Sequence, residues 1–161
     1  MIAPAGRRTR QFVHWGSYSL YPKILFMNVD GLREICLSFP GVTERIQWVS
    51  VLVFKVAGKM FAVTQLEPSQ VWLSFKASPE NFAELTERAN IIPAPYLARA
   101  QWVALQTRDA LPAEELARLL RESYDLVFAK LPRKERDAVL KAKPSARKAR
   151  RKKPAEMKKR A

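Results

Sequence analysis

The charged residues of this chain are distributed so unevenly that they limit where a folded domain can lie. Residues 1–26 hold four Lys/Arg and no acid, and residues 133–161 hold 14 Lys/Arg against three acids. Residues 27–132 hold 11 bases and 12 acids, so they are almost neutral although the whole chain carries +14. A pI of about 10.3 ordinarily indicates a basic surface made for nucleic acid, but here the surplus of bases lies at the ends. The neutral domain and its basic ends therefore need separate interpretations.

The neutral segment is long enough for one domain with one modest core. The single cysteine, Cys36, excludes an intramolecular disulfide and any site built from several cysteines, so we expect a reducing compartment, the cytoplasm. The single histidine, His14, precedes the neutral segment, which therefore lacks an imidazole base and a histidine metal cluster. Most hydrolytic mechanisms thus lose their usual proton carrier.

The first 26 residues combine arginines with the apolar stretch FVHWGSYSLYPKILF. Polar residues and Pro22 interrupt this stretch well short of a transmembrane length, and no small-residue cleavage site follows. We expect residues 1–26 to be a disordered extension, or translation to start at Met27, because a domain-opening helix begins directly after it. A transit peptide is the weaker alternative. Its support is that the segment lacks acids, as transit peptides do.

Three helices are predicted from capping residues and apolar stripes. The first is capped by Asn28 and ended by Pro40-Gly41, and its stripe consists of Leu32, Ile35, Cys36 and Phe39. The second starts at Ser78-Pro79, with serine as cap and proline in the first turn, and buries Phe82, Leu85 and Ala89. The third runs from Pro112 to about Leu131 and buries Leu116, Leu119, Leu120, Tyr124, Val127 and Leu131.

The strands are predicted from alternating β-rich runs. VLVFKV and KMFAVT flank Ala57-Gly58 as a hairpin in which Val56 pairs with Lys59. Uniform alternation then gives one face with Leu52, Phe54, Phe61 and Val63 and another with Lys55, Met60, Ala62 and Thr64. In a third strand, 71–76, Val71, Leu73 and Phe75 point inward and Trp72, Ser74 and Lys76 outward. WVALQT, from Trp102, is the fourth strand.

These elements predict a single α+β domain over 27–132, an antiparallel sheet packed by helices. Beyond Pro132 the chain consists mainly of Lys, Arg, Ala and Pro, with almost nothing to bury. Such a segment cannot offset its ordering entropy by packing, so residues 133–161 are predicted to be a disordered basic tail.

Four stretches of the neutral segment resemble the MmcQ/YjbR family, small bacterial proteins usually described as DNA-binding, with a frataxin-like fold. They are LREICLSFPGVTE at 32–44, LVFKVAGKMFAVT at 52–64, IIPAPYLARAQW at 91–102 and RESYDLVFAKLPRK at 121–134. None of them is a catalytic motif, so the resemblance implies the fold more than any chemistry. Many members have His-Trp where this chain has Gln101-Trp102, and often a further histidine near Tyr96. This chain therefore lacks titratable groups in its most site-like loop.

The frataxin-like architecture also implies an iron-binding interpretation, which depends on a ridge of carboxylates along the first helix and the edge strand. Here that region offers only Asp30, Glu34 and Glu44. Hard cations need several convergent oxygen ligands, so we interpret these three dispersed carboxylates as a solvated surface and expect no metal site.

The C-terminal tail carries the sharpest functional signal. Each of its cations can neutralise a phosphate and release counterions without reading sequence. We therefore predict nonspecific nucleic-acid binding, most simply to DNA, rather than a mere solubility tail. The predicted contact residues are Lys148, Arg150, Arg151, Lys152, Lys153, Lys158, Lys159 and Arg160.

On the domain, Lys55, Trp72 and Lys76 are candidates for an aromatic and basic sheet surface that stacks on exposed bases. The favoured alternative is that these side chains are ordinary surface residues of the strands without a binding role, because a nearly neutral domain attracts phosphate weakly. Trp48 and Trp102 are expected to belong to the core.

The alternative function is a small-molecule- or protein-binding module that uses the 91–102 loop, with the tail incidental. Tyr96, Arg99, Gln101 and Trp102 are its candidate residues, and Pro93 and Pro95 stiffen the loop. A packing role explains the loop equally well.

No catalytic constellation is present in the sequence. Cys36 lies in an apolar stripe and is interpreted as buried, and the consecutive Ser123, Tyr124 and Asp125 point to different helix faces. No Gly-rich phosphate loop or carboxylate pair is found. We therefore expect a non-enzymatic, monomeric binding protein without a cofactor and without a membrane partner.

Overall fold

The computed structural model describes residues 27–142, with six strands and four helices in this range. The helices are α1 (Val29–Ser38), α2 (Pro79–Thr86), α3 (Ala113–Ala129) and α4 (Arg133–Lys141). The strands are β1 (Val42–Gln47), β2 (Val51–Val56), β3 (Lys59–Gln65), β4 (Leu73–Lys76), β5 (Ile91–Pro93) and β6 (Trp102–Leu105). The expected extension, residues 1–26, and most of the expected tail lie outside the described residues.

The sheet is antiparallel throughout, in the order β1-β2-β3-β4-β6-β5. One apolar core contains buried residues from all four helices together with those on one side of the sheet. The helices thus cover a single face, which we call the helix face. The predicted α+β domain with an antiparallel sheet packed by helices is confirmed.

Local signals place the helix starts where the sequence predicts them. The side chain of Asn28 accepts a hydrogen bond from the Gly31 amide at 2.7 Å, and α1 begins at the next residue. The Ser78 hydroxyl accepts one from the Asn81 amide, with Pro79 in the first turn of α2. Each cap satisfies one of the amides that have no partner within the helix.

The predicted hairpin is confirmed, with Val56 paired with Lys59 around Ala57-Gly58. Both turn residues have positive φ, 46° for Ala57 and 77° for Gly58. This conformation matches the right-handed twist of the two strands.

A β-bulge interrupts the alternation within this hairpin. Phe54 pairs with Ala62, but the next residue, Lys55, pairs with Met60, so Phe61 is an extra residue in β3. Phe61 and Ala62 both belong to the main core. The bulge therefore turns two consecutive side chains of β3 toward the helices.

The bulge also corrects the predicted faces of β3. Ala62 and Thr64 lie opposite Phe54 and Leu52 on the helix face, whereas Val63 packs on the other side of the sheet. The prediction had placed them the other way round, because uniform alternation holds only in a strand without a bulge.

The sequence interpretation missed two strands, β1 and β5. The segment VTERIQ of β1 carries two charges, and β5 has three residues and ends in proline, so neither shows a strong apolar alternation. Both lie at the edges of the sheet, where strands are short and polar more often than in the centre.

Helix α4 corrects the expected domain boundary at Pro132. Residues 133–141 were expected to be disordered, but they form a helix whose Val139 is buried in the main core. The composition of this segment did not indicate a helix, because most of its residues are charged. One buried apolar side chain, that of Val139, anchors it to the core. The folded domain therefore extends through Lys141.

Gly41 is the contact point between α4 and the end of α1. Its φ is +65°, and a Cβ added there would come within 2.9 Å of Val139 Cγ1. Gly41→Ala should therefore destabilise the domain by about 1–2 kcal/mol, because the substitution adds strain and a clash. Thermal or denaturant unfolding measures the loss. The clash predicts that the double variant Gly41→Ala/Val139→Ala loses less than the sum of the two single variants, and strict additivity would contradict it.

Cys36 lies in the main core, as the sequence predicts, and is fully buried. Burial raises the pKa of its thiol strongly, with a smaller contribution from the charge of Glu44. The thiolate is therefore suppressed, and Cys36 acts as a small apolar core residue.

Candidate nucleic-acid interface

The other side of the sheet, which no described helix covers, is the helix-free face. A row of directly paired residues crosses all six strands on this side, namely Arg45, Val53, Val63, Ser74, Ala104 and Ile92. Directly paired residues point to the same side of a sheet. Beside this row lie Thr43, Lys55, Met60, Lys76 and Trp102.

A second, smaller apolar cluster covers the β6 end of the helix-free face. Ala94 and Leu97, from the segment between β5 and β6, pack with Trp102 and Ala104. Met60 and Val63 lie at the margin of this cluster. Arg45, on the edge strand at the far end of the row, is exposed, and Lys55 is half-buried.

Charge is segregated between the two sides of the domain. The strand residues on the helix-free face include Arg45, Lys55 and Lys76 but no acid. The four helices, on the helix face, hold ten acids against seven bases. The near-neutral total of the domain thus conceals a basic sheet surface behind an acidic helical layer.

The acid of β1 belongs to the helix face. Glu44 accepts a hydrogen bond from Arg33 Nε at 2.8 Å, which ties β1 to α1. This contact and the nearby charges of Glu44 and Asp30 raise the pKa of the Arg33 guanidinium. Glu44 is therefore already occupied by a cation on the side away from Arg45.

Lys76 is held more tightly than a free surface lysine. Its ammonium donates a hydrogen bond to the Ala100 carbonyl at 2.6 Å, and its backbone amide donates to Ser123 Oγ at 3.0 Å. Partial burial, and secondarily the charge of Lys130, lower the pKa of Lys76. Of the three cations on this face, Arg45 and Lys55 are thus the freer to contact an anion.

Trp72 does not belong to the basic sheet surface for which the sequence made it a candidate. It is only 7% exposed and lies in the main core, just before β4 begins. Its indole Nε1 donates to the Thr107 carbonyl at 2.7 Å, which satisfies the polar atom and allows the ring to be buried. Stacking of Trp72 on bases is therefore excluded while the core is intact.

The two other tryptophans named in the sequence analysis have opposite outcomes. Trp102 is buried under the loop that precedes it, as expected. Trp48, also expected in the core, is 69% exposed at the turn between β1 and β2. The correction follows from the missed strand β1, because the turn after it projects Trp48 away from the core.

The 91–102 loop does not bring its four candidate residues together into one surface. Tyr96 is fully exposed and has a φ of 64°, and Arg99 is exposed in a short 3-10 helix, Ala98–Ala100. Gln101 ends this helix with a φ of 60° and is half-buried, while Trp102 packs beneath the loop.

The eight tail cations, Lys148, Arg150, Arg151, Lys152, Lys153, Lys158, Lys159 and Arg160, lie outside the described residues. The described part of the chain ends directly after α4, so the tail follows a helix that already carries four bases and two acids.

Asp30, Glu34 and Glu44 do not converge on one point. Within residues 27–142, no group of three or more His, Cys, Asp or Glu side chains is positioned to hold a metal ion. No helix in this range is long and apolar enough to cross a membrane.

Arg45 is the residue of the basic surface that the sequence interpretation missed. The signal was present, since the β-branched residues Val42, Thr43 and Ile46 favour a strand and alternation places Arg45 opposite the side of Val42. The charges of Glu44 and Arg45 obscured this signal.

Comparisons with known proteins agree with this architecture. The sequence model of the YjbR family matches residues 37–126, more than half of the chain. The uncharacterized protein YjbR of Escherichia coli K12 is 26% identical over 114 residues, covering 68% of this chain and 95% of that protein.

Two crystal structures are similar to this domain. Deinococcus radiodurans protein DR2400, with a DUF419 domain, has a TM-score of 0.62 and 35% identity, covering 71% of this chain and 88% of that one. A protein from Pseudomonas syringae has a TM-score of 0.54 and 19% identity, covering 62% and 98%, and supports the fold alone. The match over residues 37–126 spans all six strands, α2 and most of α3, and by it the chain belongs to the YjbR family.

Proposed function

We propose that the protein is a non-enzymatic, nonspecific nucleic-acid-binding protein of the cytoplasm. Its basic tail supplies most of the attraction for phosphates, and the helix-free face of the sheet supplies a second, folded contact surface. The observation that carries the proposal is the segregation of charge, because cations without neighbouring acids favour an anionic partner on one side of the domain.

The arrangement of Arg45 and Lys55 suits a phosphate backbone. Arg45 on β1 is paired with Val53 on β2, and Lys55 follows Val53 by two residues on β2. The two cations are therefore diagonal neighbours. Diagonal neighbours on one sheet face lie roughly 7–8 Å apart, which allows them to contact successive phosphates. Met60 and Val63, on the next strand β3, extend this surface with apolar side chains for sugars or unstacked bases.

The proposed binding is indifferent to base sequence. Reading of base edges in duplex DNA requires a helix or ribbon presented to a groove with several polar side chains. The helix-free face belongs to a six-stranded sheet, which is too broad to enter a groove, and α3 carries four acids against two arginines. Phosphate contacts alone position a protein without specifying a sequence.

The test removes two cations from each side of the domain in the full chain. Arg45→Gln/Lys55→Gln should weaken binding to an oligonucleotide roughly tenfold at low salt, and reduce the slope of log affinity against log salt by about 2. Arg118→Gln/Lys134→Gln is the matched control, because it removes the same charge at exposed positions on α3 and α4. Its effect should stay within about twofold. Equal losses in both pairs, measured by fluorescence anisotropy, would mean that binding responds only to net charge.

A second candidate function uses the 91–102 loop as a docking site for a small molecule or protein. Tyr96 favours it, because a fully exposed aromatic side chain on a backbone of positive φ is a costly arrangement that packing does not explain. Tyr96→Ala should then abolish capture of a partner from nuclease-treated lysate while leaving nucleic-acid affinity unchanged. Identical capture by both forms would argue against the loop.

A further inference from the structure

The accessible part of the helix-free face lies over strands β1, β2 and β3. At the other end of the sheet, Ala94 and Leu97 pack over β6. Val53, in the middle of β2, is fully buried between its paired neighbours Arg45 and Val63. The surface that a partner can reach is therefore made by the side chains around Val53.

Cations and apolar side chains occupy adjacent strips of this surface. Arg45 and Lys55 lie on β1 and β2, whereas Met60 and Val63 lie on β3, with Met60 paired directly with Lys55. Both β3 side chains are partly exposed, although they also contact the smaller apolar cluster. A cationic strip beside an apolar strip is complementary to a polymer with phosphates along one edge and flat bases along the other.

Two amide side chains lie at one end of these strips. Gln47 and Gln65 are both paired with Val51, so they flank it on the helix-free face, and both are partly exposed. Each amide has a donor and an acceptor. The hydrogen-bonding edges of bases are free in a single strand and occupied in a duplex. The two amides can therefore bond to different unpaired bases without a strong preference for one of them.

The breadth of the sheet decides which form of nucleic acid can use the apolar strip. Six strands at the usual spacing extend over about 24 Å, whereas the major groove of B-DNA is about 12 Å wide and admits a helix or a two-stranded ribbon. A duplex can therefore contact this face only through its phosphates. A single strand can also turn its bases onto the apolar side chains.

We propose that the helix-free face selects single-stranded nucleic acid over duplex. The phosphates of the strand lie along Arg45 and Lys55, and its bases lie over Met60 and Val63. This inference rests on the proposed function, because it names the substrate class of the folded contact surface.

The basic tail does not supply this selectivity. A duplex has a higher density of phosphate charge than a single strand, so cations that contact phosphates alone release more counterions from a duplex. The tail therefore favours duplex, and the apolar strip opposes that preference. Removal of the apolar strip should shift the ratio of the two affinities while leaving the electrostatic attraction in place.

The first experiment replaces the apolar strip without changing charge in the full chain. Met60→Gln/Val63→Thr should weaken binding to a single strand about fivefold and binding to a duplex of the same length less than about twofold, at about 0.2 M salt. Fluorescence anisotropy with a mixed-sequence strand that cannot pair with itself measures the first affinity. Leu140→Gln, at an exposed apolar residue of α4, is the matched control and should change neither affinity.

The same titrations with Arg45→Gln/Lys55→Gln separate this inference from the proposed function. Loss of affinity for both forms in that variant, with an unchanged ratio of affinities in Met60→Gln/Val63→Thr, would retain the contact surface and overturn its selectivity. If Arg45→Gln/Lys55→Gln binds both forms as the wild-type chain does, the contact surface itself is wrong.

The second experiment uses the wild-type chain, so it does not depend on the folding of a variant. A single strand that contains 5-iodouracil is irradiated in complex with the protein, and the cross-linked peptides are identified by mass spectrometry after trypsin digestion. We expect a cross-link in the peptide of residues 60–76, which begins with Met60. Cross-links confined to residues 143–161 would show that bases do not reach the sheet, and would refute the proposal.

Discussion

Deletion of residues 143–161 should lower the affinity for duplex DNA by about a hundredfold or more at low salt. This segment holds ten Lys/Arg and one acid, so it carries a net charge of +9 out of the +14 of the whole chain. If about six of these cations contact phosphates, the tail should contribute about −5 to the slope of log affinity against log salt in the full chain, in addition to about −2 from the sheet contacts. The truncated protein should retain the shallow slope of the few sheet contacts. Binding of both forms to several duplexes across a salt series measures the difference.

The position of the cut follows from α4. A chain that ends at residue 142 retains Val139 and its place in the core, whereas a cut after Pro132 removes both. The thermal midpoint of the 1–142 protein should therefore match that of the full chain, so any loss of affinity comes from the tail. Tight, sequence-selective binding by 1–142 would move the main contact surface onto the domain.

Ser123→Ala should destabilise the domain by about 2–4 kcal/mol. Its hydroxyl is fully buried, donates to the Phe61 carbonyl at 2.7 Å and accepts from the Lys76 amide at 3.0 Å, so one side chain joins α3 to β3 and β4. Removal leaves two backbone groups without that partner, and each such buried group costs about 1–3 kcal/mol. Denaturant unfolding gives the change in free energy.

Ser38→Ala is the matched control for this substitution. Its hydroxyl also donates to a backbone carbonyl, that of Ile35, but at an exposed helix end where water replaces the bond. The loss there should stay below about 0.5 kcal/mol. If both serine variants unfold at the same denaturant concentration, the Ser123 contacts do not couple the helix to the sheet.

Features that depend on a few neighbouring residues could be predicted from the sequence. Asn28, Ser78-Pro79 and Ala57-Gly58 each determine a cap or a turn through local hydrogen bonds and φ values, and the structure has all three. The buried stripe of α3 likewise follows from its period.

Features that depend on distant partners could not be predicted. Trp72 can be buried because its indole N–H donates a hydrogen bond to the Thr107 carbonyl. That partner is 35 residues away, so no local sequence pattern predicts it. Helix α4 owes its place to Val139 against Gly41, a contact between the two ends of the domain. The faces of β3 beyond Phe61 depend on a bulge, which the alternation of residue types does not reveal.

The basic surface was hidden by averaging. A count over residues 27–132 gives almost no net charge, and this count was the reason to expect little attraction for phosphate. The fold separates the charges, with acids on α1, α2 and α3 and cations on the helix-free face. Of the proposed interface, sequence reasoning found Lys55 and Lys76 as members of one sheet surface, but it missed Arg45 and wrongly included Trp72.

The bulge at Phe61 also has a consequence for misfolding. In a regular hairpin, sliding one strand by two residues keeps every side chain on its original face, so the slipped state is a close competitor of the native one. In β3 the faces change phase at Phe61, and a two-residue slip would displace the bulge and direct the Phe61 ring toward the cationic side. The extra residue therefore fixes the register of the β2–β3 hairpin. Because a fixed register disfavours slipped pairings, it also disfavours aggregation through slipped hairpins.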